Sequence, residues 1–283
     1  MDRDESEQRL FLRQVLADGA ARLGAEPTGE PVFGWRDRTI GALAIRRGEA
    51  VWLRATGEHR EWTGDRMWTG NQDAAALTGV AKPTVLARSE WEEPPVVLAA
   101  EVMTLAPEPV CSSTPELRKE LDLPDAWWEQ LADSLARIEA QPSARVSYSE
   151  KNFAYCLHVR FGPWVDLDVS LTWATSHCDL HWANLTAPGL TILDWETWGR
   201  APQGIDAATL YCHSLLVPKT ARKVYEVFRD TLDTPAGKLA QLSVIDHLLS
   251  RAADGEHPDL VLPLHRLADQ LLNRRPEGDH PCI

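Results

Sequence analysis

The chain has 283 residues, of which 44% are hydrophobic and 25% charged, so it is long enough to bury one large core or two smaller ones. A formal net charge of −13 argues against a binder of duplex nucleic acid, because such proteins present a basic face to the phosphates. No apolar run approaches the roughly 18 residues that a membrane-spanning helix needs, so we expect no membrane segment.

The first hundred residues predict a helix followed by a small antiparallel sheet. Residues 5–24 place apolar side chains at helical spacing, and Gly24 ends that helix. Short apolar runs between turn residues predict five strands: 31–35, 39–47, 49–56, 84–88 and 94–103. One helix is predicted after the third strand, over 66–80, because Pro83 follows where a helix has to be over.

Helices dominate the remaining sequence, beyond a Pro- and Ser-rich connection at 105–117. Residues 125–140 carry an apolar face and begin with Asp125, which is predicted as the N-cap. Helical periodicity covers three later segments: 218–231, 236–252 and 259–273. Two short strands are predicted, LTW (171–173) and LTIL (190–193). The pattern predicts an α+β protein with a strand-rich lobe (1–104) and a mainly helical lobe (105–283).

The cysteines indicate a reducing compartment. They are odd in number and widely spaced: Cys111, Cys156, Cys178, Cys212 and Cys282. The sequence opens with charged residues, MDRDESEQRL, rather than with the apolar core of a signal peptide. We therefore expect free thiols and a cytoplasmic protein.

Three oxygen-bearing side chains interrupt the apolar stretch HCDLHWANLTAPGLTILDWE (177–196). Asp179 and Asn184 lie in the loop that leaves one predicted strand, and Asp194 follows the next. A hairpin-like return would bring the three together, and carboxylate and amide oxygens are ligands that Mg²⁺ prefers. A carboxylate that stays off the metal can accept a proton from a substrate hydroxyl or orient it. The spacing therefore indicates phosphoryl transfer, which needs a metal clamp and a carboxylate at the nucleophile.

The pattern H-x-D-L-H-x-x-N, followed by I-L-D-W-E, resembles the catalytic and metal-binding loops of a known family. It is similar to the aminoglycoside phosphotransferase and choline kinase branch of the protein-kinase-like superfamily. The run GRAPQGIDAATLY (199–211) resembles that branch's GDPAYDLA-type segment. The resemblance implies a bilobal kinase-like fold. Its small N-lobe would hold a five-stranded antiparallel sheet and one helix, and the reaction would occur in the cleft next to the helical C-lobe.

The resemblance also implies roles for individual residues of these motifs. Asp179 would be the catalytic base or the carboxylate that orients the hydroxyl. Asn184 and Asp194 would be the Mg²⁺ ligands. His177 would be a structural residue of the loop, and Asp206 would brace that loop.

The implied nucleotide contacts fall in the N-lobe. The family's phosphate-binding Lys corresponds to Arg54 in AVWLRAT, and Arg grips phosphate with a different reach and geometry. Its acidic partner is expected on the following helix, where Asp73 is the nearest candidate. Adenine is expected to meet the backbone of the connecting strand at four residues: Ala100, Glu101, Val102 and Met103.

The chain departs from the family pattern in the small lobe and in the catalytic loop. The first turn lacks a G-x-G-x-x-G fingerprint. The family usually has Gly between the His and the Asp, where this chain has Cys178, and a Cys is tolerated only where the backbone does not demand a positive φ.

Other interpretations of these residues remain open. A zinc site can be drawn from five residues, although they lack a C-x-x-C pair and core packing is favoured for the last two: His177, Cys178, His181, Cys212 and His213. A Cys178 nucleophile is disfavoured, because the adjacent Asp179 opposes formation of a thiolate. Trp195 and Trp198 are predicted to form a wall of the active site. Glu196 is either a carboxylate near the metal or a solvated charge.

We therefore expect a phosphotransferase that uses ATP (or GTP) and Mg²⁺ to phosphorylate a hydroxyl of a small molecule. The acidity suggests a cationic acceptor. Nucleic-acid and membrane partners are not expected, and no protein partner is indicated. Two alternatives stay open. One is a catalytically degenerate kinase-like binding or accessory protein, motivated by Arg54 and Cys178; the other is a kinase that acts on a peptide hydroxyl in natural-product biosynthesis.

Overall fold

The computed structural model describes residues 6–64 and 66–273. The chain forms two compact units: a strand unit made of residues 1–76 and 82–107, and a helical unit made of residues 77–81 and 108–283. Residues 1–5, where the first predicted helix begins, and Cys282 lie outside the described residues. The four cysteines in the described part of the chain are free thiols.

The strand unit contains an antiparallel sheet with the order β1-β3-β4-β6-β5, in which β2 also pairs with β3. Its strands are β1 Glu26–Pro27, β2 Val32–Phe33, β3 Thr39–Arg46, β4 Glu49–His59, β5 Val85–Glu93 and β6 Val96–Thr104. The antiparallel sheet is as predicted, but it has six strands rather than five, because the two-residue β1 was not recognised. β3 and β4 are joined through Arg47 and Gly48, with φ of 53° and 84°, and two positive φ values match the twist of a tight hairpin.

Side chains of the central strands alternate between two faces of the sheet. Leu53 on β4 and Val102 on β6 are fully buried in a core that they share with helix α1 (Glu7–Leu23). Arg54 and Glu101 are their neighbours in the sequence, so they point to the opposite face. The face that α1 leaves uncovered therefore carries the charged residues of the two central strands.

Helix α1 ends at the residue that the sequence predicts, and a side chain caps its start. The Ser6 side chain accepts a hydrogen bond from the Arg9 amide, and Gly24 ends the helix with φ of 63°. Gly19 allows a close approach to the sheet, because a Cβ there would lie 2.4 Å from the Cβ of Ala100.

The helix predicted over 66–80 is wrong in extent. Only α2 (Gly70–Asp73) is α-helical, with 3₁₀ turns at 66–68 and 74–76. Three consecutive residues are weak helix formers: Thr69, Gly70 and Asn71. Gly79 has a φ of 72°, which is not helical. The apolar spacing was therefore not enough to sustain a helix.

The helical unit is built from helices around a two-stranded sheet. The helices are α3 Asp125–Glu139, α4 Glu150–Phe161, α5 Ile205–Ser214, α6 Pro218–Val227, α7 Arg229–Leu232, α8 Pro235–Ala253 and α9 Val261–Leu271. Strands β7 (Trp173–Ser176) and β8 (Gly199–Pro202) pair antiparallel. Among the described residues, no helix is long and apolar enough to cross a membrane.

Several details of the helical unit differ from the prediction. Asp125 is the first residue of α3, and Pro124 is the N-cap. Helix α4 was not predicted, although Ser149 caps it and Phe153, Leu157 and Phe161 bury one face. LTIL does not form a strand; it contributes only an isolated bridge to the loop described below.

Candidate active site

The loop between β7 and β8 returns on itself and so brings the candidate residues together. The Leu193 amide donates to the Asn184 carbonyl at 2.8 Å, and Leu185 forms an antiparallel bridge with Ile192. Asp194 follows Leu193 directly, so the backbone of Asp194 starts next to that of Asn184. The predicted hairpin-like return therefore exists, although it is too short to count as a strand pair.

Asp206 fixes the start of this loop. Its two carboxylate oxygens accept hydrogen bonds from the His177 amide (2.7 Å) and the Cys178 amide (2.8 Å). Asp206 is buried in the first turn of α5, and its burial raises the pKa of the carboxyl group, while His177 and the two amides act in the opposite direction. The carboxylate thus ties the loop to a buried helix.

His177 connects the two arms of the loop from inside. Its Nε2 lies 2.8 Å from the Leu193 carbonyl, and the Asp179 amide donates to Nδ1 at 3.3 Å. Because an amide is a donor, Nδ1 accepts and Nε2 carries the proton. The ring is fully buried and packs edge-on against Trp195 at 4.7 Å. The imidazole is thus used structurally.

Two residues of the loop have left-handed backbones. Cys178 has φ of 68° and Asp194 has φ of 58°. The condition under which Cys would be well tolerated is therefore not met, and this residue bears backbone strain. Its Sγ lies 3.5 Å from the Ser176 carbonyl and 3.7 Å from the Gly199 carbonyl. These contacts give a nucleophilic thiol no support.

Asp179 lies at the accessible side of the loop. Asn184 Nδ2 donates to the Asp179 carbonyl at 2.9 Å and approaches Oδ2 at 3.4 Å, while His181 Nε2 lies 3.6 Å from Oδ2. The carboxylate is about a third exposed, at 36%. Burial alone would raise its pKa, but the charge and hydrogen bond of His181 outweigh burial and lower the pKa well below the ordinary range. Asp179 is therefore ionised and faces solvent.

Asn184 and Asp194 fit Mg²⁺ by their donor atoms. Asn184 directs its Nδ2 donors to Asp179, which leaves the amide Oδ1 as the ligating atom, and Asp194 exposes its carboxylate. Mg²⁺ is commonly held by one or two such oxygens together with substrate phosphates. In the described residues, no group of three or more His, Cys, Asp or Glu side chains could hold a metal, so the zinc interpretation has no site.

The two tryptophans after Asp194 do not form an exposed wall, which corrects that prediction. Trp195 and Trp198 are 2% and 3% exposed. Arg145, which the sequence did not single out, stacks on Trp198 at 4.8 Å and donates to the Glu196 and Trp198 carbonyls, both at 3.2 Å. Glu196 thus contributes its backbone to the support of the loop.

Three histidine side chains lie in a row beside Asp179, all within the helical unit. The ring of His181 lies 5.6 Å from that of His213, which lies 5.9 Å from that of His257. His257 Nδ1 in turn contacts the buried carboxylate of Glu116 at 2.9 Å. Burial, followed by the charge of His181, lowers the pKa of His213 to about 3. His213 is therefore neutral and packed in the core, as predicted.

Charges of both signs act on His247, a buried histidine of α8 that is influenced by Asp179. The pKa of His247 on α8 is lowered by burial and by the Arg251 cation, while Asp179, Asp246 and Glu256 act in the opposite direction. The expectation of a cationic acceptor, which came from the net acidity of the chain, stays a prediction.

In the strand unit, Arg54 lies 3.9 Å (Nη1 to Oε2) from Glu101, which stands directly opposite on β6. The acidic neighbour of Arg54 is thus found on a strand; Asp73, the candidate partner on the helix, accepts a hydrogen bond from the Thr69 hydroxyl at 2.7 Å.

The positions predicted for adenine need correction. Ala100, Glu101, Val102 and Met103 lie within β6, which is paired with β4 on one side and with β5 on the other. Their backbone groups belong to these ladders and are not available to a base. Leu105, just beyond the strand, is the first residue of the connection and is exposed.

The chain resembles known proteins in its fold and not in its sequence. No protein-family model matches the sequence, and no curated protein matches it. The crystal structure of the aminoglycoside phosphotransferase APH(4)-Ia matches with a TM-score of 0.66 and 11% identity, over 92% of this chain and 98% of that chain. Two further structures match: amicoumacin kinase hAmiN in complex with AMP-PNP, Ca²⁺ and Ami (TM-score 0.56, 11% identity, 95% and 94% covered), and apo macrolide 2′-phosphotransferase MphH from Brachybacterium faecium (0.54, 17%, 95% and 100%). The chain therefore has the kinase-like fold of these antibiotic-phosphorylating enzymes, and the predicted fold is confirmed.

Proposed function

We propose that the protein transfers the terminal phosphoryl group of ATP or GTP to a hydroxyl group of a small molecule. The observation that carries this proposal is the arrangement of Asp179, Asn184 and Asp194 on one braced loop. An ionised, accessible carboxylate beside an amide oxygen and a second carboxylate supplies the protein groups that phosphoryl transfer requires. The likeness to antibiotic phosphotransferases supports the proposal through the fold.

Asp179 would act on the acceptor. Its carboxylate would accept a hydrogen bond from the hydroxyl and aim the oxygen at the phosphorus atom. A strongly lowered pKa makes it a weak base, so the proton would pass to it late, as the new O–P bond forms. Its main contribution would be orientation of the nucleophile.

Asn184 Oδ1 and the Asp194 carboxylate would hold Mg²⁺. A bound Mg²⁺ supplies positive charge that neutralises the phosphate oxygens. On the strand unit, Arg54 would bind the nucleotide phosphates with its guanidinium group.

Transfer of ³²P from labelled ATP or GTP to a panel of hydroxyl-bearing antibiotics, which includes hygromycin B and spectinomycin, tests the proposal. We expect Asp179→Asn to lower the transfer rate about 10²- to 10⁴-fold while nucleotide affinity stays within experimental error and the variant remains folded. Asp133→Asn, the same change at an exposed position of α3, serves as the matched control and should transfer at the wild-type rate.

The outcome also separates the remaining alternatives. Nucleotide binding without transfer to any small acceptor, to peptides or to water would refute the enzymatic proposal and favour a binding protein. Transfer to peptide hydroxyls alone would refute the small-molecule acceptor.

A further inference from the structure

Glu101 is a carboxylate in the middle of the central strand β6, and it is only 4% exposed. Carboxylates are almost never buried unless they are paired, because loss of hydration penalises the charge. Burial of this side chain within a sheet therefore needs a structural reason.

The reason lies in the register of three adjacent strands. Arg54 on β4 and Arg88 on β5 both stand directly opposite Glu101, one on each side. Glu101 Oε2 lies 3.9 Å from Arg54 Nη1, and Oε1 lies 3.4 Å from Arg88 Nε. From the α2 segment, Asn71 Nδ2 donates to Oε2 at 3.1 Å. Glu101 is thus held from three directions.

Arg88 and Arg54 are not equivalent in this row. Arg88 is anchored by Glu90 (2.8 Å) and by the Trp68 carbonyl (3.1 Å), and its guanidinium stacks on the Trp68 ring at 5.2 Å. Nη1 and Nη2 of Arg88 are therefore engaged by the sheet and by the segment that covers it, while its Nε makes no hydrogen bond and meets Glu101 only as an ion pair. The 3.9 Å from Arg54 Nη1 to Glu101 Oε2 is longer than a hydrogen bond, so Glu101 acts on the guanidinium as an ion-pair partner.

We propose that Glu101 is the positioning residue of Arg54 for binding of the nucleotide phosphates, so that the cross-strand row Arg54–Glu101–Arg88 does the work expected of a carboxylate on the helix. The inference rests on the proposed function. A guanidinium whose orientation is fixed before binding loses less side-chain entropy when it meets a phosphate. Because Asn71 and Arg88 restrain Glu101, its carboxylate cannot simply follow a displaced Arg54.

Calorimetric titration of the full chain with MgATP, MgGTP and adenosine tests the inference. Arg54→Ala should weaken binding of the triphosphate about 10- to 100-fold and leave adenosine unchanged, because a charge-assisted hydrogen bond is lost. Glu101→Gln, which is nearly isosteric, should weaken triphosphate binding about 3- to 10-fold and also leave adenosine unchanged. In the double variant, the Gln substitution should add less than twofold to the effect of Arg54→Ala, because Glu101 acts through Arg54.

The Gln substitution also removes a repulsion between Glu101 and the phosphates, so the sign of its effect is decisive. Tighter triphosphate binding, equal losses for triphosphate and adenosine, or an undiminished effect in the Arg54→Ala background would each overturn the inference. Glu58→Gln, which breaks another Arg–Glu pair of the same sheet (2.5 Å to Arg38), is the matched control and should not change affinity. If Glu101→Gln does not fold, Asn71→Ala provides the second test, with an expected loss of about 2- to 5-fold for the triphosphate only.

Failure of the inference is distinguishable from failure of the proposed function. A wild-type chain that binds neither nucleotide would overturn both. A wild-type chain that binds and transfers, with Glu101→Gln unaffected, would overturn the inference alone.

Discussion

Neutral burial of His213 makes the stability of the protein dependent on pH. The folded pKa is about 3, whereas an unfolded histidine titrates near 6.5, so the unfolded chain takes up a proton between these values and the folded chain does not. The stability associated with a neutral His213 is fully present above pH 6.5 and is lost as the pH falls toward 3. Between pH 7.5 and 5.0 the loss amounts to about 2 kcal/mol, and it depends only on the unfolded value while the folded pKa stays below 5.

His213→Asn isolates this contribution. The asparagine Nδ2 can replace His213 Nδ1, which lies 2.8 Å from the Thr209 carbonyl, and it does not titrate. We expect the wild type to lose about 2 kcal/mol more free energy of unfolding than the variant between pH 7.5 and 5.0, measured by urea denaturation at each pH. The difference in unfolding free energy between wild type and variant removes the pH dependence that both proteins share. One such shared contribution comes from His181, whose pKa is raised.

The same substitution at an exposed position of α4, His158→Asn, controls for removal of a histidine as such and should show no such trend. A wild-type-minus-His213→Asn difference that stays constant within about 0.5 kcal/mol across this range would show that His213 is not held neutral in the folded protein.

Two further predictions concern the candidate catalytic loop. Cys178→Gly should raise the free energy of unfolding by up to about 1 kcal/mol in urea denaturation, because glycine relieves a left-handed backbone; Cys178→Ala, which keeps the Cβ, should give no gain, and an equal gain from both would contradict the strain. Asp206→Asn should cost about 1–3 kcal/mol of unfolding free energy and lower phosphoryl transfer, because one of two buried amides loses its acceptor. Asp125→Asn makes the same change in the first turn of α3 at an exposed site and should stay within about 0.5 kcal/mol, so similar losses in both variants would point to the helix ends instead.

Local patterns predicted those elements whose formation depends on neighbours in sequence. Helix α1 has a side-chain cap at Ser6 and a left-handed Gly24, and both signals lie within its own segment. The β3–β4 hairpin follows from two apolar runs around an Arg47-Gly48 turn. The two-residue β1 has no pattern of its own; it exists because Glu26 and Pro27 lie beside the edge of β3.

Elements that depend on distant partners were harder to predict. Helix α4 exposes Tyr155 and Val159, so its apolar residues do not mark a single clean face, and its identity is settled by packing against α8. Residues 66–76 do not form one continuous α-helix, and Trp68 packs against Val97 and Ala99 of the sheet instead. Tertiary contacts outweigh the local preference in both places.

In the candidate site, too, residues close together in sequence were predicted, and residues brought together only by the fold were missed. The spacing of Asp179, Asn184 and Asp194 is visible in the sequence because one short loop carries all three. Arg145 and Glu101 were missed as supporting residues because they are brought to their partners only by the fold. A register argument would have found Glu101: once β4 and β6 are paired, an isolated charge on each central strand has to meet its counterpart or remain unpaired.

In the candidate catalytic loop, backbone strain occurs at residues that are held by hydrogen bonds, and this supports a functional interpretation of the loop's shape. Cys178 and Asp194 each adopt a left-handed backbone, which costs an L-residue roughly 1–2 kcal/mol. Cys178 is held in place by the carboxylate of Asp206, and the arm that leads to Asp194 is held by the hydrogen bonds of Leu193. A relaxed loop would be more stable in isolation, but it would change the direction in which Asp179 and Asp194 leave the backbone. Strained residues persist where the surroundings over-determine them, and such places cluster at ligand sites. We therefore infer that the buried hydrogen bonds of the loop maintain the direction of the Asp179 and Asp194 carboxylates.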